Sequence, residues 1–231
     1  MIYWSLEEAE VPSFSGFILN LLYNGEIPDM NKWSTRGLIF SALFAGVMIA
    51  MSYIKFALPF SAVPITLQTL AVMLAGSILG ARYGTLAVLI VIGLAAAGFP
   101  VLGGRGGLAV LAGPTGGYIF SWPFAAFLIG LLAQRMKQNN LTFVKLAFVN
   151  FIFGALLVYP GGVSWLAYST GMDSWGKALT AGMWPFLPGD TVKALLCASV
   201  VSAVWKVYPI ERILDSSHGV WLDEEKARVI R

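Results

Sequence analysis

"ITLQTLAVMLAGSILGARYGTLAVLIVIGLAAAGF", residues 65–99, decides the architecture of this chain. It holds two apolar runs, 65–80 and 83–99, parted only by Ala81 and Arg82. A helix needs about 20 mostly apolar residues to cross the ~30 Å of bilayer hydrocarbon. Two such runs with so short a junction predict a pair of spans joined in a tight hairpin. Comparable runs at 37–58, 117–134, 143–159 and 186–208 flank them. The expected fold is therefore an all-α integral membrane protein, a bundle of six transmembrane helices. Composition agrees: 58% of the 231 residues are hydrophobic and 12% charged, and the mean hydropathy is +0.75, well above that of soluble domains.

The segments between the spans are also informative. Eight glycines fall among residues 98–117, too many for a stable helix. Irregular backbone at membrane depth is tolerated where protein buries it or where it lines a watery cavity. A re-entrant glycine-rich loop between the third and fourth helices follows. "PGG" at 160–162 is expected to stop the fifth span, leaving a semi-apolar loop with Trp165, Trp175 and Trp184, residues that favour the interface. Residues 1–36 carry Glu7, Glu8 and Glu10 where a secretory signal would need bases. Their apolar stretch 13–23 is too short to span, so the segment is expected to be an interfacial helix or arm. Residues 37–208 form the membrane domain and 209–231 a polar tail. Of the fifteen Lys and Arg, all but Lys55, Arg105, Lys177 and Lys193 fall on the side that holds both termini. Cytoplasmic loops carry the excess of bases, which predicts both termini inside and makes nucleic-acid binding a needless explanation of the positive charge.

Several chemistries are excluded. The chain has one cysteine, Cys197, and one histidine, His218 in the tail, so neither a metal cluster nor a Ser-His hydrolase is expected within the spans. No P-loop occurs, so the chain is not expected to bind ATP through one. No cofactor and no catalytic residue are expected.

The residues that remain are suited to binding. Asp190 and Lys193, in "PFLPGDTVKALL" (185–196), stand one helical turn apart on a common face, after Pro188 and Gly189 break the chain. That break is expected to set the carboxylate beside the free N–H groups of the first turn. Two readings are open: an ion pair that neutralises both charges at the membrane surface, or a polar clamp whose carboxylate accepts ligand N–H groups while its ammonium donates to a carbonyl. Such a clamp suits a urea or an amide. Arg105, between glycine pairs in the loop, is either a headgroup contact or a fork for a ligand carboxylate. Gln68 lies inside the second span, where an amide needs a partner, and Tyr118 offers a ring and a hydroxyl at an interface or in a pocket. Ala42, Gly46 and Ala50 form a small-residue stripe on the first span, for packing within the bundle or for docking another helix.

Three separated blocks, "VPITLQTLAVMLAGSILGARYG" (63–84), "GGRGGLAVLAGPTGGY" (103–118) and "FLPGDTVKALL" (186–196), resemble the biotin-specific substrate-binding subunits of energy-coupling-factor (ECF) transporters, the BioY family. The likeness runs from about residue 37 to about 208; the N-terminal segment and the tail do not fit the family's core pattern. The resemblance implies an S-component bundle that binds biotin from outside, in the plasma membrane. It implies that Asp190 and Lys193 grip the ureido ring, that Arg105 meets the valerate carboxylate, and that Gln68 and Tyr118 shape the pocket. It also implies that the Ala42, Gly46 and Ala50 stripe docks a transmembrane coupling protein driven by two ATPase subunits. A solitary facilitator, a membrane-embedded enzyme and a purely structural protein are the alternatives.

Overall fold

The computed structural model describes residues 33–136 and 138–207. The arm assigned to 1–36, apart from its last four residues, and the tail 209–231 with His218 lie outside the described residues.

The first helix, α1 (Thr35–Ser52), starts where Ser34 adopts extended backbone and its Oγ accepts a hydrogen bond from Gly37 N, satisfying one of the orphan amides of the first turn. Its buried face is Gly37, Ser41, Ala45, Met48 and Ser52, the three-to-four spacing of one helical stripe. Ser41 Oγ donates to Tyr83 O at 2.9 Å, tying α1 to the next helix. The expected span 37–58 is cut short at Ser52. Lys55–Phe56 (β1) instead runs extended and pairs antiparallel with Ile65–Thr66 (β2), Lys55 standing opposite Thr66. Pro59 and Pro64 sit between them, and proline supplies no N–H to carry a helix onward.

Helix α2 (Gln68–Ala96) contains the hairpin. Gly80 breaks it with φ 75° and ψ −177°, a region that only glycine occupies without strain. A Cβ placed on Gly84 would lie 2.6 Å from Ala75 O, whereas in a straight helix residues nine apart are about 13 Å apart along the axis. The arms 68–79 and 81–96 therefore fold back on each other. The freed Ala81 N–H is capped by Gln134 Oε1 at 3.2 Å.

The glycine-rich segment follows. Leu102 and Arg105 bond each other's backbone across a tight turn, and α3 (Leu108–Ala112) is a single short turn of helix. Three contacts fasten this segment to the end of α1: Gly103 N donates to Ser52 Oγ at 2.8 Å, Lys55 Nζ to Gly103 O at 2.8 Å, and Tyr53 OH to Pro100 O at 3.1 Å.

Helix α4 (Gly116–Gln134) packs against α2 through the middle of the bundle. Next, α5 (Thr142–Phe151), a π turn (Ile152–Leu156) and α6 (Val158–Thr170) make one continuous rod. The expected stop at Pro160 is thus wrong: the helix continues to Thr170, so Trp165 lies on it and not in a loop, and a left-handed Gly171 (φ 66°) ends it. The reason is local. A proline at 160 cannot bond Leu156 O and crowds it in α geometry, and Leu156 is the last residue of the widened π turn. The two glycines serve close approach: a Cβ on Gly162 would come within 2.3 Å of the Tyr118 ring, and one on Gly117 within 2.3 Å of Gly161 O. After α7 (Trp175–Gly182), which carries Trp175, α8 (Leu187–Val207) completes the described chain.

Among the described residues, five helices are long and apolar enough to cross a membrane: α1, α2, α4, the rod Thr142–Thr170 and α8. The six expected spans map onto these five, with the fold at Gly80 dividing the second. Their outer faces show Ile39, Leu43, Phe124, Leu195 and Val200, a contiguous apolar exterior that water would not tolerate and lipid does. Inside, a polar knot joins three helices: Asn150 Nδ2 donates to Ser77 Oγ at 3.0 Å and Cys197 Sγ to the same oxygen at 3.8 Å, all fully buried.

Two substitutions test this packing by thermal unfolding in detergent. Gly80→Ala, which forces a side chain into the left-hand region and against Gln134, is expected to destabilise by about 1–3 kcal/mol. Gly46→Ala, at an exposed helical site with nothing within 4 Å of the added carbon, should be neutral or stabilising by up to ~1 kcal/mol.

Candidate functional site

One cavity of about 790 Å³, mouth included, opens between the end of α1, the β ribbon, the start of α2, the glycine-rich turn, the start of α4, the π turn with α6, and the start of α8. Asp190, Lys193, Arg105, Gln68 and Tyr118 all line it.

At its polar end Lys193 Nζ lies 2.8 Å from Asp190 Oδ1, and each residue is 5% exposed. That burial removes the reading of a solvated surface pair. Removing one partner of a buried pair costs about 3–5 kcal/mol, against ~0–1 kcal/mol for an exposed one. The carboxylate does not turn back to the helix N–H groups as expected from the Pro188–Gly189 break. Leu187 and Pro188 are already helical, and Asp190 N itself bonds Phe186 O at 2.8 Å, so the side chain reaches sideways. Tyr159 OH donates to Oδ2 at 2.5 Å, and Lys193 Nζ donates a second bond to Thr69 Oγ1 at 2.9 Å. The four residues link α6, α8 and α2 in one chain of hydrogen bonds. Each carboxylate oxygen keeps an unused lone pair and the ammonium keeps one N–H. An acceptor beside a donor is the complement of an N–H beside a C=O.

Tyr118 spends its hydroxyl on Gly182 O at 2.7 Å, leaving the ring as its contribution to the cavity wall. Gln68, the first residue of α2, and Trp122, on α4, both line the cavity, and their side-chain N–H groups (Nε2 and Nε1) are buried without an acceptor among the described residues. Arg105 comes from the glycine-rich turn. It is exposed at the mouth, and among the described residues its guanidinium has no hydrogen-bonding or ionic partner. Among the described residues, Asp190, already neutralised by Lys193, is the only carboxylate along the wall, so the lining carries an excess of positive charge and favours an anion.

Sequence reasoning missed Tyr159, Thr69 and Trp122. Tyr159 was read only as the end of a span before "PGG", and nothing in its neighbourhood signals that the π turn directs it toward Asp190. Thr69 stands beside Gln68 in "PITLQT", where a hydroxyl next to an intramembrane amide was a usable hint. The stripe Ala42, Gly46 and Ala50 is exposed on α1 and takes no part in packing among the described residues.

With this geometry in hand, the comparisons with known proteins are specific. Residues 28–210 match the BioY family. This chain belongs to the BioY family. A relative called biotin transporter BioY from Rhizobium etli is 42% identical over 183 residues, covering 77% of this chain and 97% of that protein. Another of the same name from Rhodobacter capsulatus is 38% identical over 185 residues, covering 75% and 95%. A crystal structure described as the S-component for biotin from an ECF-type ABC transporter superposes with a TM-score of 0.72 at 32% identity, over 80% of this chain and all of that one. The fold of this BioY-family chain is thus that of an ECF S-component.

The buried pair makes a double-mutant prediction. Lys193→Met should lower stability by about 3–5 kcal/mol by stranding Asp190, and adding Asp190→Leu should restore a large part of it. Tryptophan-fluorescence melts of the purified single and double variants check this.

Proposed function

We propose that this chain binds biotin as the S-component of an energy-coupling-factor transporter and serves its uptake into the cell. The observation that carries the reading is a single cavity with a donor–acceptor pair in its buried part and an unpaired guanidinium at its mouth. Biotin has a cyclic urea at one end and a carboxylate on a flexible arm at the other. On this reading Asp190 accepts a ureido N–H, the third Lys193 proton goes to the ureido oxygen, and Arg105 meets the carboxylate with its fork. Tyr118 supplies an apolar wall, and the unpaired Gln68 amide donates to the ligand. Tyr159 and Thr69 hold the pair in place. The matched family and the relatives named biotin transporter support a role in binding and transport and not in catalysis.

Energy must come from elsewhere, because the chain has no phosphate-binding loop. The exposed Ala42, Gly46 and Ala50 stripe allows close helix approach and is the surface assigned to a transmembrane coupling protein, which in turn is driven by ATPase subunits. The chain is placed in the plasma membrane with both termini inside, residues 37–208 forming the membrane unit between the 1–36 arm and the 209–231 tail; the excess of bases on that side supports this. The cavity then opens outward.

Isothermal titration of the purified protein should give nanomolar biotin affinity, and millimolar or weaker affinity would overturn the reading. Asp190→Asn should weaken binding by about 2–4 kcal/mol, the loss expected when one side of a buried charged contact is changed. Gly46→Leu should leave biotin binding intact yet abolish uptake by cells that carry the coupling subunits. Unchanged uptake in cells without those subunits would instead favour a solitary facilitator.

A further inference from the structure

We propose that Lys55 is a second cation of the subsite that receives the ligand's carboxylate, so that the anionic end of the ligand bridges β1 to the turn carrying Arg105. The inference rests on the biotin reading of the cavity and names a residue that reading does not use.

Lys55 lies on β1 opposite Thr66, and both residues line the cavity. Its Nζ donates to Gly103 O at 2.8 Å. Gly103 sits inside the same tight turn whose ends, Leu102 and Arg105, bond each other's backbone. The ammonium and the guanidinium therefore flank one turn at one side of the mouth. A lysine ammonium has three N–H donors and an arginine guanidinium five. The Gly103 carbonyl uses one of these; the others have no protein acceptor among the described residues. Among the described residues, Asp190 is the only carboxylate along the wall, and it is bonded to Lys193 and Tyr159, so it does not separate the two cations.

Two cations held beside one turn repel each other and favour an anion between them. A carboxylate fits the arrangement: it accepts the arginine fork on one edge and keeps lone pairs for an ammonium on another. The bond to Gly103 O gives Lys55 a second effect, since it also secures the turn that presents Arg105. A purely solvated lysine would leave the preference for a charged ligand untouched, and a purely tethering one would change it only through Arg105, to the extent that loss of the Ser52 tether of the same turn does.

The test compares biotin with its primary amide, which keeps the ring system and loses the charge, by titration of the full chain in detergent. Wild type should prefer the acid. Lys55→Met should reduce the acid-to-amide affinity ratio about tenfold, as expected for one charge-assisted contact, while Lys55→Arg should keep the ratio near that of wild type. Ser52→Ala, which removes the other tether of the turn, should lower the ratio far less than Lys55→Met; an equal fall would reduce Lys55 to a tether and overturn the proposal. The proposal is overturned if Lys55→Met leaves the ratio unchanged, whether both affinities fall together or neither moves. Equal binding of acid and amide by wild type also overturns it while sparing the biotin reading. Failure of wild type to bind either ligand overturns both.

Discussion

A charge pair that lipid and protein deny to water governs how this molecule is built. Asp190 and Lys193 are each 5% exposed, and neither is tolerable alone in such surroundings. Each has been given the other and one hydroxyl besides: Tyr159 on the carboxylate, Thr69 on the ammonium. Those hydroxyls come from different helices, so the need to satisfy two charges also fixes how α2, α6 and α8 meet. The remaining valences of the pair, a lone pair on each oxygen and one N–H, face a cavity that also holds the unpaired N–H groups of Gln68 and Trp122.

Close helix approach is the second constraint. Without a hydrophobic force between helices in lipid, packing and interhelical hydrogen bonds carry association. The turn of α2 rests on Gly130, where a Cβ would come within 2.2 Å of Ala81 N, and α4 meets α6 across Gly117, Gly161 and Gly162. These contacts set the Tyr118 ring flat against α6, so the cavity wall and the packing of the bundle are the same surface seen from two sides.

Much of this was legible in residues alone. The hairpin followed from two apolar runs separated by Ala81 and Arg82, and Asp190, Lys193 and Arg105 stood out as charges placed where polarity is costly, whereas the grouping of Gln68 and Tyr118 with them came from the resemblance of three sequence blocks to the BioY family. What was not legible depended on backbone geometry that composition does not encode. "PGG" ordinarily ends a helix, but here a π turn upstream lets the rod pass Pro160 and the glycines admit a neighbour. Lys55 looked like the tail of a span, and only the strand pairing with Ile65–Thr66 shows that the span ends three residues before it. Tyr159 carries no charge and sits in no motif, so its bond to Asp190 could be found only in three dimensions.

The π turn at Ile152–Leu156 has a further consequence for the rod that contains it. Such a segment holds one residue more than the α-helical path would, and a single residue corresponds to about 100° of rotation around an α-helix. The halves of the rod are consequently out of phase: the stripe that faces the interior in α5 does not continue along the same heptad positions into α6. Hydrophobic periodicity counted straight through 142–170 would put Tyr159 on the wrong side. A lineage that lost one residue here could relax to a plain helix without shortening the span appreciably, at the cost of turning α6 and its Tyr159 away from Asp190.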